Sequence, residues 1–224
     1  MACGCPEHLG NSSGTREAPG KEGSVPGHSA VMSRPWGLEM SSALPRVSFL
    51  GGAGGDWRVE CMTATRGAPL PAASTVTRVE GGAFADPADA RWLLRGVGSH
   101  ERYTERAEKD RLVLVQEGPG RPDSVLAALI PIRKSRDWWT LPQDERRAIF
   151  EARSRHIEIG ARYLPAIARR LYHARDLGEP FDFLTWFEFA PPYTAAFDDL
   201  LGALRETEEW RYVTREVELR LRRT

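Results

Sequence analysis

The spacing of apolar and polar positions changes several times along this chain, and each change marks an element. Around 46–62 two short apolar runs, VSFL and WRVECM, flank Gly51-Gly52-Ala53-Gly54-Gly55. They read as a hairpin of two strands joined by a glycine turn. Residues 64–88 are mostly small, with prolines at 69, 71 and 87, and read as a linker or an irregular edge. ARWLLRGVGSHE, over 90–101, reads as a strand that Gly96 and Gly98 allow to bend or bulge. The mixed spacing over 103–116 predicts a helix, and Gly118-Pro119-Gly120-Arg121-Pro122 ends it.

Beyond that break the pattern is regular. SVLAALIPIRK, 124–134, is an apolar strand. Thr140 and Gln143 form a capping-box pair, Pro142 suits a first turn, and a helix follows over 144–158. Ile149, Ala152, His156 and Gly160 recur at spacings of three and four and so share a face. Residues 166–174 alternate as a strand, with Ile167, Arg169, Leu171 and His173 on one side and Ala168, Arg170 and Tyr172 on the other. After a turn at 176–180, FDFLTWFEF is apolar almost throughout, the mark of a strand buried on both faces. A helix over 194–207 turns Phe197, Leu200, Leu201 and Leu204 inward, and a last strand spans 212–221. The order over 124–222 is βαββαβ, the split βαβ of a ferredoxin-like domain. The expected class is therefore α+β. The expected division is a disordered tail at 1–44, a shortened first ferredoxin-like half at 45–122, and a complete one at 123–224.

Composition narrows the function. The tail is rich in Gly, Ser and Pro and cannot bury enough surface to offset its ordering entropy. Met32 and Met40 are alternative starts within it. Thirty-one basic and 31 acidic residues leave no net field for nucleic acid or an acidic membrane surface. No apolar run approaches the roughly 20 residues of a membrane span, and the N-terminus lacks a signal-peptide pattern. Three cysteines, Cys3, Cys5 and Cys61, are an odd set that suits a reducing compartment, hence the cytoplasm. Cys3-x-Cys5 with His8 does not have zinc spacing, and the glycine segment lacks the Lys-Ser/Thr of a phosphate loop.

The candidate chemistry centres on His156. A lone helical histidine is ordinarily a packed or surface residue. This one has alanine and glycine beside it on its face, and Lys134, Trp138, Trp139, Tyr163 and Arg169 follow or precede it within a short span. An imidazole nitrogen, flat aromatic walls and cations for carboxylates are what a haem pocket needs. Arg169, inward on its strand beside Ile167 and Leu171, is costly to bury unless it meets an anion. His173 lies on the same side; as a second iron ligand it would block substrate, so it reads as structural.

Four segments carry a resemblance: LLRGVGSHERY, EGPGRPDSVLAALIPIRKSRDWW, QDERRAIFEARSRHIEIGARYLPAIARRLYHARDLGEPFDFLTWFEF and EEWRYVTREVELRL. From about Trp92 to Arg222 the chain resembles the chlorite dismutase family, in particular its shorter lineage. That resemblance implies a dimeric α+β barrel of ferredoxin-like repeats with a shortened first repeat, haem b as cofactor, and a homodimer. It implies that chlorite is converted to chloride and dioxygen, with both oxygen atoms from chlorite. It makes His156 the proximal iron ligand, Arg169 the distal cation, and Glu209 the acceptor of the histidine N–H, with Glu206 and Glu208 close enough to take that place. Lys134, Trp138 and Tyr103 match positions near the haem propionates and pocket wall, with Trp139 beside them. His100, in SHERY, departs from the family pattern. A coproheme decarboxylase-type enzyme resembles the same fold but carries a neutral glutamine at the place of Arg169. A non-catalytic haem-binding barrel, or a haem-free one, would need no distal cation. Arg169, Lys134 and the tryptophan pair favour the first reading.

Overall fold

Successive side chains of a strand point to opposite faces, and in the second half of this chain both faces are apolar. Strand β5 (Leu126–Lys134) sends Ala127 and Leu129 into one core and Leu126, Ala128, Ile130 and Ile132 into another. Two layers must therefore cover it, and the fold supplies them. The computed structural model describes residues 45–85, 89–98 and 118–224, all within the unit Leu44–Thr224.

The other strands are β1 (Arg46–Gly52), β2 (Trp57–Arg66), β3 (Thr75–Glu80), β4 (Trp92–Gly98), β6 (Ile167–His173), β7 (Phe183–Phe189) and β8 (Val213–Arg223). They close into one antiparallel barrel in the order β1-β3-β2-β8-β5-β7-β6-β4. Each half contributes its strands in the order fourth, first, third, second, as a ferredoxin-like repeat does. The second half carries its helices: α1 (Arg136–Thr140), α2 (Gln143–Arg147), α3 (His156–Ala161) and α4 (Thr194–Arg205). The α+β class and the element order predicted for that half are what the structure has.

The first half departs from expectation in three ways. β1 and β2 both pair antiparallel with β3, so they run in the same direction and are not a hairpin. Gly51 serves close approach instead, since a Cβ there would lie 2.0 Å from the indole of Trp92. Secondly, the supposed linker contains β3, a short strand with prolines before it and glycines after it. Thirdly, β4 pairs with β1 without a bulge. Gly96 lets the barrel close: a Cβ there would sit 2.7 Å from the Cβ of Tyr172 on β6, across a seam of two residue pairs. All four strands are present, the β1–β2 crossover is a short loop, and no helix occurs there among the described residues. The barrel closes on itself.

Two apolar cores result. Phe49, Trp57, Tyr172 and Trp186 fill the barrel, with ring centroids 5.2–5.9 Å apart along the cluster. Outside it, Phe187 and Phe189 of β7 meet Phe197, Leu200, Leu201 and Leu204 of α4, the four residues predicted to face inward. No helix among the described residues is long and apolar enough to cross a membrane. Tyr103, His100, the helix expected over 103–116, the tail at 1–44, and Cys3, Cys5 and His8 lie outside the described residues.

Gly96→Ala should destabilise the fold by about 1–3 kcal/mol, because its methyl group meets the fixed root of Tyr172 and not a flexible tip. Urea unfolding checks this; an unchanged midpoint would show that the β4–β6 seam has slack.

Candidate active site

The helix predicted over 144–158 is broken, and the break shapes the site. α2 has no side-chain cap; Thr140 instead donates to the carbonyl of Asp137 at 2.8 Å, ending α1, so there is no capping box. Ser135 caps α1 by accepting from the Trp138 N–H at 3.3 Å. After α2 the backbone winds into a π-helical turn, Ala148–Arg153, and Arg155 then takes a left-handed conformation, φ 51° and ψ 37°. α3 begins at His156, its first turn secured where the Ile157 N–H meets Oε2 of Glu151 at 2.9 Å. The single apolar face therefore does not survive: Ile149 is buried, Ala152 is exposed, and only His156 and Gly160 remain together, one turn apart on α3.

His156 stacks on Phe150, with ring centroids 4.4 Å apart. Its Nδ1 lies 2.7 Å from Oε2 of Glu209. Glu209 is buried on a tight turn, Glu208–Tyr212, between α4 and β8. Its other carboxylate oxygen accepts from Lys134 Nζ at 2.7 Å, and Nζ also donates to its carbonyl at 3.3 Å. Of the three glutamates considered, Glu209 is the one on the histidine; Glu208 pairs with Arg153 at 3.1 Å. The turn is tied down from two sides. Ser154 Oγ accepts the Glu209 N–H at 2.9 Å, and Arg66 of β2 donates to the carbonyls of Trp210 and Val213, each at 2.9 Å.

Lys134 reaches this place by alternation, on the face of β5 that carries Ile130 and Ile132, at the point where the pairing with β8 slips between Arg133 and Lys134. Its ammonium lies over the Trp138 ring, 4.4 Å from the centroid. The nearest carboxylate it serves is the protein's own.

Burial alone would push the Glu209 carboxyl up, but Lys134 and His156 outweigh it and hold the group at about 2. Burial also pulls the Lys134 ammonium below its ordinary value, while Glu209 pushes back. The carboxylate decides the outcome: it is ionised at neutral pH, so Nδ1 of His156 carries the proton that it accepts. The lone pair of Nε2 is then the histidine's available donor for a metal.

The tryptophans divide. Trp138 is almost fully buried against Tyr212, at 5.3 Å, and its Nε1 has no hydrogen-bond partner among the described residues. Trp139 stacks on Phe183 at 5.8 Å, donates to Asp182 at 3.1 Å and carries Arg175 over its ring at 3.8 Å. Asp182 also accepts the Lys134 N–H at 2.6 Å, so one carboxylate oxygen fixes the end of β5 and the indole. Tyr163, like Trp139 and Ile159, is partly buried against the outer core. On β6, Arg169 lies against α3: a Cβ on Gly160 would be 2.6 Å from its Nη1. His156 and Arg169 are thus brought to the same side of the sheet. Leu171, on that same side, is 38 % exposed, and His173 stands edge-on to Phe183 at 5.1 Å. Arg170 turns the other way and pairs with Glu80 of β3 at 3.3 Å.

Sequence reasoning missed Ser154, Arg66 and Asp182. Only Asp182 left a signal, an acid inside the apolar run FDFLTWFEF. Ser154 and Arg66 act on a turn 55 or more residues away.

Lys134→Met should cost about 3–5 kcal/mol in unfolding free energy, because it strands a buried carboxylate. The double variant Lys134→Met/Glu209→Gln should recover part of that loss. Because Glu209 is depressed in the folded state, its stabilisation is present above pH 4.5 and is lost as pH falls toward about 2. The stability gap between wild type and Glu209→Gln should narrow over that window in chemical denaturation; a gap independent of pH would contradict the charged pair.

Comparison with known proteins accords with this geometry. Residues 65–223 match the sequence profile of the family described as chlorite dismutase. A chlorite dismutase from Ideonella dechloratans is 33% identical over 89 residues, which is 40% of this chain and 29% of that protein. The chain thus aligns with less than a third of that relative's length. A dimeric chlorite dismutase from Nitrobacter winogradskyi is 54% identical, with a TM-score of 0.74 over 80% of this chain and 99% of that one. A variant chlorite dismutase from Candidatus Nitrospira defluvii in complex with cyanide is 20% identical, with a TM-score of 0.57 over 82% of this chain and 92% of that one; it shares the fold. With a profile that spans most of the chain and a barrel that superposes on the Nitrobacter winogradskyi structure, the chain belongs to the chlorite dismutase family.

Proposed function

We propose that this protein is a haem b enzyme that converts chlorite to chloride and dioxygen, acting as a homodimer in the cytoplasm. The observation that carries the reading is the relay from Lys134 through Glu209 to His156, set on the same side of the sheet as Arg169. Family membership supports the reaction, and likeness to a dimeric relative supports the assembly.

The side chains suit a haem. His156 presents Nε2 because Nδ1 is engaged. Gly160 has no side chain where one would crowd Arg169. Trp138 keeps a buried N–H with no partner among the described residues, a donor suited to a carboxylate, and Leu171 offers an apolar surface to a ring. If haem is bound, His156 would hold its iron through Nε2 with Trp138 and Trp139 beside it, Lys134 would act behind the histidine through Glu209, and the family resemblance adds Tyr103. When bound, ferric haem supplies the centre at which chlorite loses a Cl–O bond and an O–O bond is made.

Each residue then has a task. Ionised Glu209 draws the Nδ1 proton of His156 toward itself, gives the imidazole more anionic character and so favours the oxidised metal. Lys134 keeps that carboxylate charged inside the protein. With haem bound, Arg169 would bind and orient the chlorite anion through its guanidinium fork. Atoms and electrons balance within the substrate, as one chlorite gives one chloride and one dioxygen, so no external electron donor enters. A cation at position 169 suits an anionic substrate and distinguishes this reading from a coproheme decarboxylase, whose counterpart is a neutral amide.

Oxygen release on adding chlorite to the haem-loaded protein, followed with an oxygen electrode, tests the proposal. Arg169→Ala should lower turnover about 10²–10³-fold. Gly160→Ala should also lower it, by displacing the guanidinium, while leaving stability nearly unchanged. No oxygen from the loaded wild type, or full turnover in Arg169→Ala, would overturn it.

A further inference from the structure

His156 and Glu209 are joined twice. One connection is the bond from Nδ1 to the carboxylate. The other is made two residues earlier, where Ser154 Oγ accepts the main-chain N–H of the same glutamate at 2.9 Å. Ser154 is buried, and so is Glu209, so this N–H has no access to water in place of the serine.

On a continuous helix residues i and i+2 do not face each other, and Ser154 and His156 could not both reach one partner. The break permits it. Ser154 ends the π-helical turn with its N–H on the carbonyl of Ile149 at 3.0 Å, Arg155 turns left-handed, and His156 opens a new helix. The two bonds and the short backbone between them form a closed ring. The remaining contacts of the Glu209 segment do not fix the same quantity. Lys134 holds Oε1, about which the carboxylate can pivot, and reaches the Glu209 carbonyl by a longer bond of 3.3 Å, which leaves the N–H side of that residue to Ser154; Arg66 holds the far end of the turn.

We infer that Ser154 is a positioning residue for the proximal pair: by holding the Glu209 main chain it directs Oε2 onto Nδ1 of His156. The inference rests on the haem reading above. Without the serine oxygen the glutamate keeps its lysine and loses its aim at the histidine. The imidazole then becomes less anionic, and the bound metal loses part of its preference for the ferric state.

The test uses the haem-loaded full chain and three variants. Ser154→Ala removes the acceptor, Ser154→Cys replaces it with a poor one of similar size, and Ser154→Thr retains it. The first two should lower the ferric preference about tenfold, a rise of about 59 mV in midpoint potential for a one-electron couple, and Ser154→Thr should match wild type. Hydrogen exchange at the Glu209 amide of the haem-free chain gives a second readout: protected in wild type and Ser154→Thr, faster in the other two. Unchanged potentials in Ser154→Ala and Ser154→Cys overturn the inference while leaving the haem reading intact. If both variants lose haem, a still-protected Glu209 amide also overturns it, and a deprotected one supports it. A wild-type chain that takes up no haem defeats the functional reading itself, and this inference with it.

Discussion

A carboxylate ionised inside an apolar protein must be surrounded by donors, and Glu209 organises its neighbourhood around that requirement. Three elements far apart in sequence converge on it: the end of β5 through Lys134, the break before α3 through Ser154 and His156, and β2 of the first half through Arg66 on its turn. Each gives a cation, an N–H or a hydroxyl oxygen that the group or its main chain needs. The histidine's tautomer follows from this arrangement, and with it the nitrogen left for a metal.

Its surroundings also give the first half of the chain a role beyond closing the barrel. Its strands run without helices among the described residues, yet two of them reach toward the candidate site. Arg66 on β2 clasps the Glu209 turn. Glu80 on β3 pairs with Arg170 and Tyr172, which flank Leu171 on the strand that carries Arg169. Burial pushes the Tyr172 hydroxyl up to about 12, so it stays protonated and donates to Glu80. Both sides of the site are thus held from behind by strands of the first half.

Much of this was legible in the letters where local pattern and tertiary structure agree. Alternation gave β6 and separated Arg169 from Arg170; continuous apolarity gave β7; the helical stripe of Phe197, Leu200, Leu201 and Leu204 gave α4. What failed was governed by non-local contact. β3 has one fully buried side chain, Val76, and it sits in the sheet between β1 and β2, which both precede it in sequence. Gly51, inside β1, looked like part of a turn because nothing nearby in sequence reveals the Trp92 ring that needs the space. The helical period continued through Arg155, a residue type with no preference for the left-handed region, so the break there had no signature. Lys134 looked like a cation for a propionate because its partner Glu209 lies 75 residues away in sequence.

The pairing of Lys134 with Glu209 has a consequence for how such a chain can change over generations. Each member is tolerable in the interior only because the other is present. A lineage that inherits both cannot drift out of the arrangement one substitution at a time, since the intermediate with a single buried charge is the least fit. The pair therefore behaves as a historical latch: once acquired it tends to persist even where the chemistry it serves is no longer under selection.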